Sequence, residues 1–68
     1  MEHNGNKLDF LKDPTLGTTW VKLGDRLIGR IRHYGTGWQF RTNEDDVHYF
    51  TAWELRQLYK FVRKLEEE

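Results

Sequence analysis

The sequence predicts an α+β fold: a three- or four-stranded antiparallel β-sheet packed against one C-terminal α-helix. Three observations carry that expectation. Between Thr18 and Thr42, short runs of β-branched and aromatic residues alternate with turn signals. After Phe50 the apolar residues change to a helical period. At the junction, Thr51 and Glu54 have the spacing of a capping box.

Residues 1–17 read as a flexible N-terminal segment, its polar, Asn- and Gly-rich start expected to fray. Within it "LDFLK" is expected to form a short helical turn, ended before Asp13-Pro14 because the residue preceding a proline disfavours the helical region. Residues 18–66 form the folded domain. "TTWVKL" and "RLIGRIRH" are strands, joined by Gly24-Asp25, which suits a two-residue hairpin. Gly29 interrupts the second strand and marks a bulge or a close contact. "YGTG" leads into "WQFRT", and the charged turn "NEDD" leads into "VHYF", a short last strand. The helix then begins at Thr51, with Phe50 and Leu55 in the staple positions. Its apolar face is expected to comprise Leu55, Leu58, Tyr59, Val62 and Leu65, with Arg56, Lys60, Arg63 and Lys64 opposite. A meander is marginal without cover on its apolar face, so this stripe is expected to seat the helix on the sheet.

A chain of 68 residues holds one domain at most, and its core is marginal. With no cysteine, neither disulfides nor a thiolate zinc site can supplement it. Three Trp, three Tyr and four Phe supply volume instead. A monomer is the expected state, with a homodimer as the alternative. No signal-peptide pattern and no membrane-length apolar run are present, so a cytoplasmic protein with no membrane partner is expected. The chain has no serine or cysteine nucleophile, which argues against an enzyme. His33 and His48 lack metal-ligand spacing, "NEDD" reads as a solvated turn, and the glycines of "YGTGW" lack the rest of a phosphate loop. No cofactor is expected.

Net charge is zero but unevenly spread. Lys22, Arg26, Arg30, Arg32 and Arg41 stand against Asp25 alone over residues 22–41, whereas residues 42–54 carry Glu44, Asp45, Asp46 and Glu54 without a Lys or Arg. Alternation places Ile28, Arg30 and Arg32 on one face of their strand, with Leu27, Gly29 and Ile31 on the other. If Trp38 and Phe40 point toward the helix with Leu27 and Ile31, the open face carries Arg30, Arg32, Gln39 and Arg41, extended by Lys22 and Trp20. Arg and Gln on a β-ribbon can reach base edges in a major groove, while Lys and Arg neutralise phosphates. Ordinary solvation of a wet sheet face explains the same residues equally well.

The stretch "RIRHYGTGWQFRTNEDDVHYFTAWELRQLYKFV" resembles the sheet-then-helix pattern of the arm-type DNA-binding domains of phage tyrosine integrases and of plant AP2-like domains. The shared pattern is a basic strand, a Gly turn before Trp, a second strand, a charged turn and an aromatic-Thr helix start. The resemblance covers residues 30–62 and implies that Arg30, Arg32, Gln39 and Arg41 face a DNA major groove. The zero net charge departs from those usually basic domains. In size and composition the chain is also similar to small phage-encoded accessory and anti-defence proteins. The expected function is a non-enzymatic binding module for DNA, the alternative a phage-type regulator or inhibitor that binds a host protein.

Overall fold

The computed structural model describes residues 7–43 and 47–68. Of the start expected to fray, residues 1–7, and of the expected charged turn, residues 43–46, residues 1–6 and 44–46 lie outside the described residues. Four strands form one antiparallel sheet in the order β1-β2-β3-β4: β1 (Asp9–Asp13), β2 (Thr18–Leu23), β3 (Arg26–Tyr34) and β4 (Gly37–Thr42). One helix, α1 (Ala52–Glu67), crosses the inner face. No helix among the described residues is long and apolar enough to cross a membrane.

The fourth strand is not the one expected. Residues 9–13 form β1 rather than a helical turn, with Phe10 opposite Val21 and Leu11 opposite Trp20. So short a helix would gain few internal hydrogen bonds for the residues it orders. As a strand, the segment turns Phe10 inward, where it stacks on Phe61 of α1 at 4.3 Å between ring centroids and 9° between planes. Leu8, just before β1, is 2% exposed, and its N–H donates to Gln57 Oε1 at 2.8 Å. Conversely, residues 47–50 form no strand, because this segment carries the chain from the sheet to the helix. Its alternation survives without a ladder: His48 and Phe50 turn inward, Val47 and Tyr49 outward. Arg26 Nη2 donates to the Val47 carbonyl at 3.1 Å, which fixes the connection at the end of the sheet.

Gly24 adopts φ +65° in the β2–β3 turn, a conformation glycine accepts without steric cost. A bulge then shifts the β2–β3 register: Val21 pairs with Gly29 but Lys22 pairs with Leu27, so Ile28 is the extra residue. Ile28 and Gly29 are both buried against the core while Leu27 is partly exposed on the outer face. This reverses the positions that simple alternation assigns to Leu27 and Ile28. Gly29 is also a close contact, since a Cβ there would lie 2.5 Å from the Phe40 ring. Beyond the bulge, Ile31 pairs with Thr19 and Phe40 on the inner face.

The capping box forms as expected. Thr51 Oγ1 accepts from the Glu54 N–H at 3.2 Å, and Glu54 Oε1 accepts from the Thr51 N–H at 3.0 Å. The helix seats on the sheet through Leu58, Val62 and Leu65 of the expected stripe, which Glu54 and Phe61 complete in place of Leu55 and Tyr59. Glu54, Leu58 and Leu65 are buried, Phe61 and Val62 pack against the core, and Leu55 and Tyr59 face solvent. Phe61 draws the buried face toward β1, a strand the periodicity of α1 alone does not reveal. Leu8, Val21, Ile28, Ile31, Leu58 and Leu65 form the buried centre of the core.

Candidate functional site

The outer face of the sheet, away from α1, gathers the basic residues. Antiparallel pairing puts directly opposed residues on the same face, so the register can be read across the sheet. One row runs Leu11, Trp20, Arg30, Arg41. Arg32 opposes Gln39, Tyr34 opposes Gly37, and Lys22 lies between Asp9 and Leu27. All five residues singled out from the sequence, Lys22, Arg30, Arg32, Gln39 and Arg41, therefore share this face, with Trp20 beside them. Asp9 and Asp13 mark the β1 side, so positive charge concentrates over β3 and β4.

Tyr34 organises the arginines. The Arg41 guanidinium lies 3.8 Å from the centre of the Tyr34 ring, and that of Arg32 lies 5.8 Å away. Gln39 Oε1 accepts from Arg41 Nε and Nη2 at 3.4 and 3.3 Å. Arg32 Nη2 reaches the Leu16 carbonyl at 3.5 Å. These polar contacts are at the long end of the hydrogen-bond range, so the ring contact contributes most to holding Arg41. Among the described residues, no carboxylate comes within ion-pair distance of Arg30, Arg32 or Arg41. No family model, curated protein or solved structure matches the chain.

Sequence reasoning placed Tyr34 in a turn and so missed it. The signal was present: Arg30, Arg32 and Tyr34 continue one alternation, and the strand extends to Tyr34 before a two-residue turn. Leu11 and Leu27, which add apolar surface to this face, were hidden by the misread β1 and by the bulge.

A second polar cluster lies at the helix start. Glu54 is 1% exposed, and its Oε1 accepts from His48 Nε2 at 3.0 Å as well as from the Thr51 amide. Burial pushes the Glu54 carboxyl up, but the Thr51 amide bond and the bond to and charge of His48 outweigh it, and the pKa falls below its ordinary value. An ionised Glu54 only accepts, so His48 Nε2 carries the hydrogen. The His48 ring also meets Phe50 edge-on at 4.7 Å. These bonds pin the connecting segment to α1. Among the described residues no three potential ligands cluster for a metal ion.

Proposed function

We propose that the protein binds DNA through the β3–β4 half of its outer sheet face. The observation that carries this reading is the direct opposition of Arg30 and Arg41, with Arg32 nearby and no described carboxylate close enough to neutralise them. Like charges opposed across strands destabilise a sheet. Phosphate oxygens would supply a counter-charge, and release of condensed counterions would favour binding. The resemblance to integrase arm-type domains implies the same face. Arg30, Arg32 and Lys22 would neutralise phosphates, while Arg41 and Gln39 would meet base edges. Tyr34 and Gln39 restrict Arg41 before binding, which lowers the ordering cost of a base contact.

The test is fluorescence anisotropy with a labelled duplex at salt concentrations from about 50 to about 200 mM, the range over which phosphate contacts weaken steeply. Arg30→Ala should reduce the magnitude of the salt slope by about 1, as loss of one phosphate contact does. Arg41→Ala should cost about 1–3 kcal/mol on a preferred sequence if it removes a bidentate base contact. Absence of binding at the lowest salt, or unchanged affinity in both variants, rejects the reading. A second reading, a phage-type regulator that binds a host protein, draws support from the helix entry. There Val47 is 67%, Tyr49 87% and Trp53 45% exposed, and Tyr and Trp are common anchors of protein interfaces. Trp53→Ala would abolish capture of such a partner and leave DNA affinity unchanged.

A further inference from the structure

We propose that the β4 edge and the adjoining flank of α1 form a homodimer interface, in which two copies pair antiparallel through β4 into one continuous sheet. The two edges of the sheet differ in chemistry. β1 carries Asp9, Lys12 and Asp13 and runs into Pro14. Lys12 pairs with inward-facing Thr19, and its Nζ lies 5.9 Å from the Phe61 ring centre, so this charge points to the inner side. Edge charges, an inward lysine and a nearby proline are the devices by which sheets resist further pairing. β4, "GWQFRT", has none of them except Arg41 on its outer face.

The backbone of β4 is arranged to accept a partner. The Asn43 N–H donates to the Ile28 carbonyl at 3.2 Å. Alternation from that bond turns the amides of Arg41, Gln39 and Gly37 toward β3, and those of Trp38, Phe40 and Thr42 away from the sheet. Along the same edge, Leu55 is 53% and Tyr59 61% exposed. With Phe40 and Val62 they line an apolar groove of about 370 Å³, bordered by Arg63 and Glu66.

A second copy fits this surface by its own complementarity. With Phe40 opposite its own copy, the outward amides of Trp38 and Thr42 meet reciprocally. On the outer face Gln39 then opposes Arg41 of the second copy, so no directly opposed like-charge pair is created. Arg63 and Glu66 give the groove both signs, which a two-fold axis can pair reciprocally. A standard interface needs about 800 Å² per partner, roughly a sixth of the 5030 Å² accessible surface. The inference is independent of DNA binding. If both hold, the dimer joins the basic halves of two sheets at its centre and places the acidic β1 edges outside.

Sedimentation equilibrium of the full chain from low micromolar to submillimolar concentration tests the interface. The expected result is a reversible dimer of the 8.3 kDa chain. Thr42→Pro removes an outward amide without removing a β3–β4 ladder bond, and Leu55→Lys puts a charge into the groove. Each variant should weaken dimerisation about tenfold or more, with unchanged circular dichroism. Should one variant unfold, the other decides. A wild-type monomer throughout the concentration range, or a dimer that folded variants leave intact, overturns the proposal.

Discussion

Replacing Gly29 with alanine gives a direct test of the packing between β3 and β4. An added Cβ would lie 2.5 Å from Phe40 Cε1 and Cζ and 2.5 Å from the Arg41 carbonyl oxygen. Favourable carbon contacts lie at about 3.5–4.0 Å, so relief requires a movement of about 1 Å. The Phe40 ring cannot turn freely, because Phe50 meets it edge-on at 5.6 Å, and the Arg41 oxygen belongs to backbone. Overpacking of this kind costs about 1–3 kcal/mol. The smaller conformational freedom of unfolded alanine offsets about 0.4–1 kcal/mol, leaving a net loss near 1–2 kcal/mol. In a domain of this size that lowers Tm by roughly 4–16 °C. Thermal and urea melts followed by circular dichroism measure it. Adding Phe40→Leu should recover part of the loss, and a double-mutant cycle should show coupling above about 0.5 kcal/mol. Neutral or stabilising Gly29→Ala, or an additive cycle, would refute the argument.

The helix start yields two further expectations. Thr51→Ala removes the acceptor for the Glu54 amide and should cost about 0.5–2 kcal/mol in urea melts, with unchanged stability excluding the cap's energetic role. Glu54 has a folded pKa below its ordinary value of 4.5, so its contribution to stability is present above about 4.5 and is lost as pH falls through the folded pKa. Wild-type urea midpoints should therefore fall across that acidic range, and Glu54→Gln should flatten the fall. An equally steep fall in the variant would assign the acid sensitivity to other groups.

What the sequence made legible was local chemistry. Thr51 and Glu54 define the helix start through a three-residue spacing, and Gly24 defines a turn through its permitted backbone angle. Both signals are complete within a few residues. The outer-face arginines were legible because they lie beyond the bulge, where alternation is regular. Ile28 and Leu27 exchanged faces because one extra residue reverses the two-residue period. β1 escaped notice because its inward side chain, Phe10, is held by Phe61, far away in sequence. Burial of Glu54 and exposure of Leu55 and Tyr59 also depend on where α1 lies across the sheet. Apolar periodicity records which residues could be buried, but neighbouring elements choose among them.

The meander has a consequence for the order in which the chain acquires structure. Each hydrogen-bonded strand pair joins neighbours in sequence, so short loops close before much entropy is lost. Among the long-range contacts, those that link Leu8 to Gln57 and stack Phe10 on Phe61 close a span of about 50 residues. The hairpins around Gly24 and Gly35 can assemble while that span is still open. Docking of β1 against α1 is then the late event that completes the core. Changes in the hairpin turns should consequently act on the folding rate, while shortening Phe10 or Phe61 should chiefly accelerate unfolding.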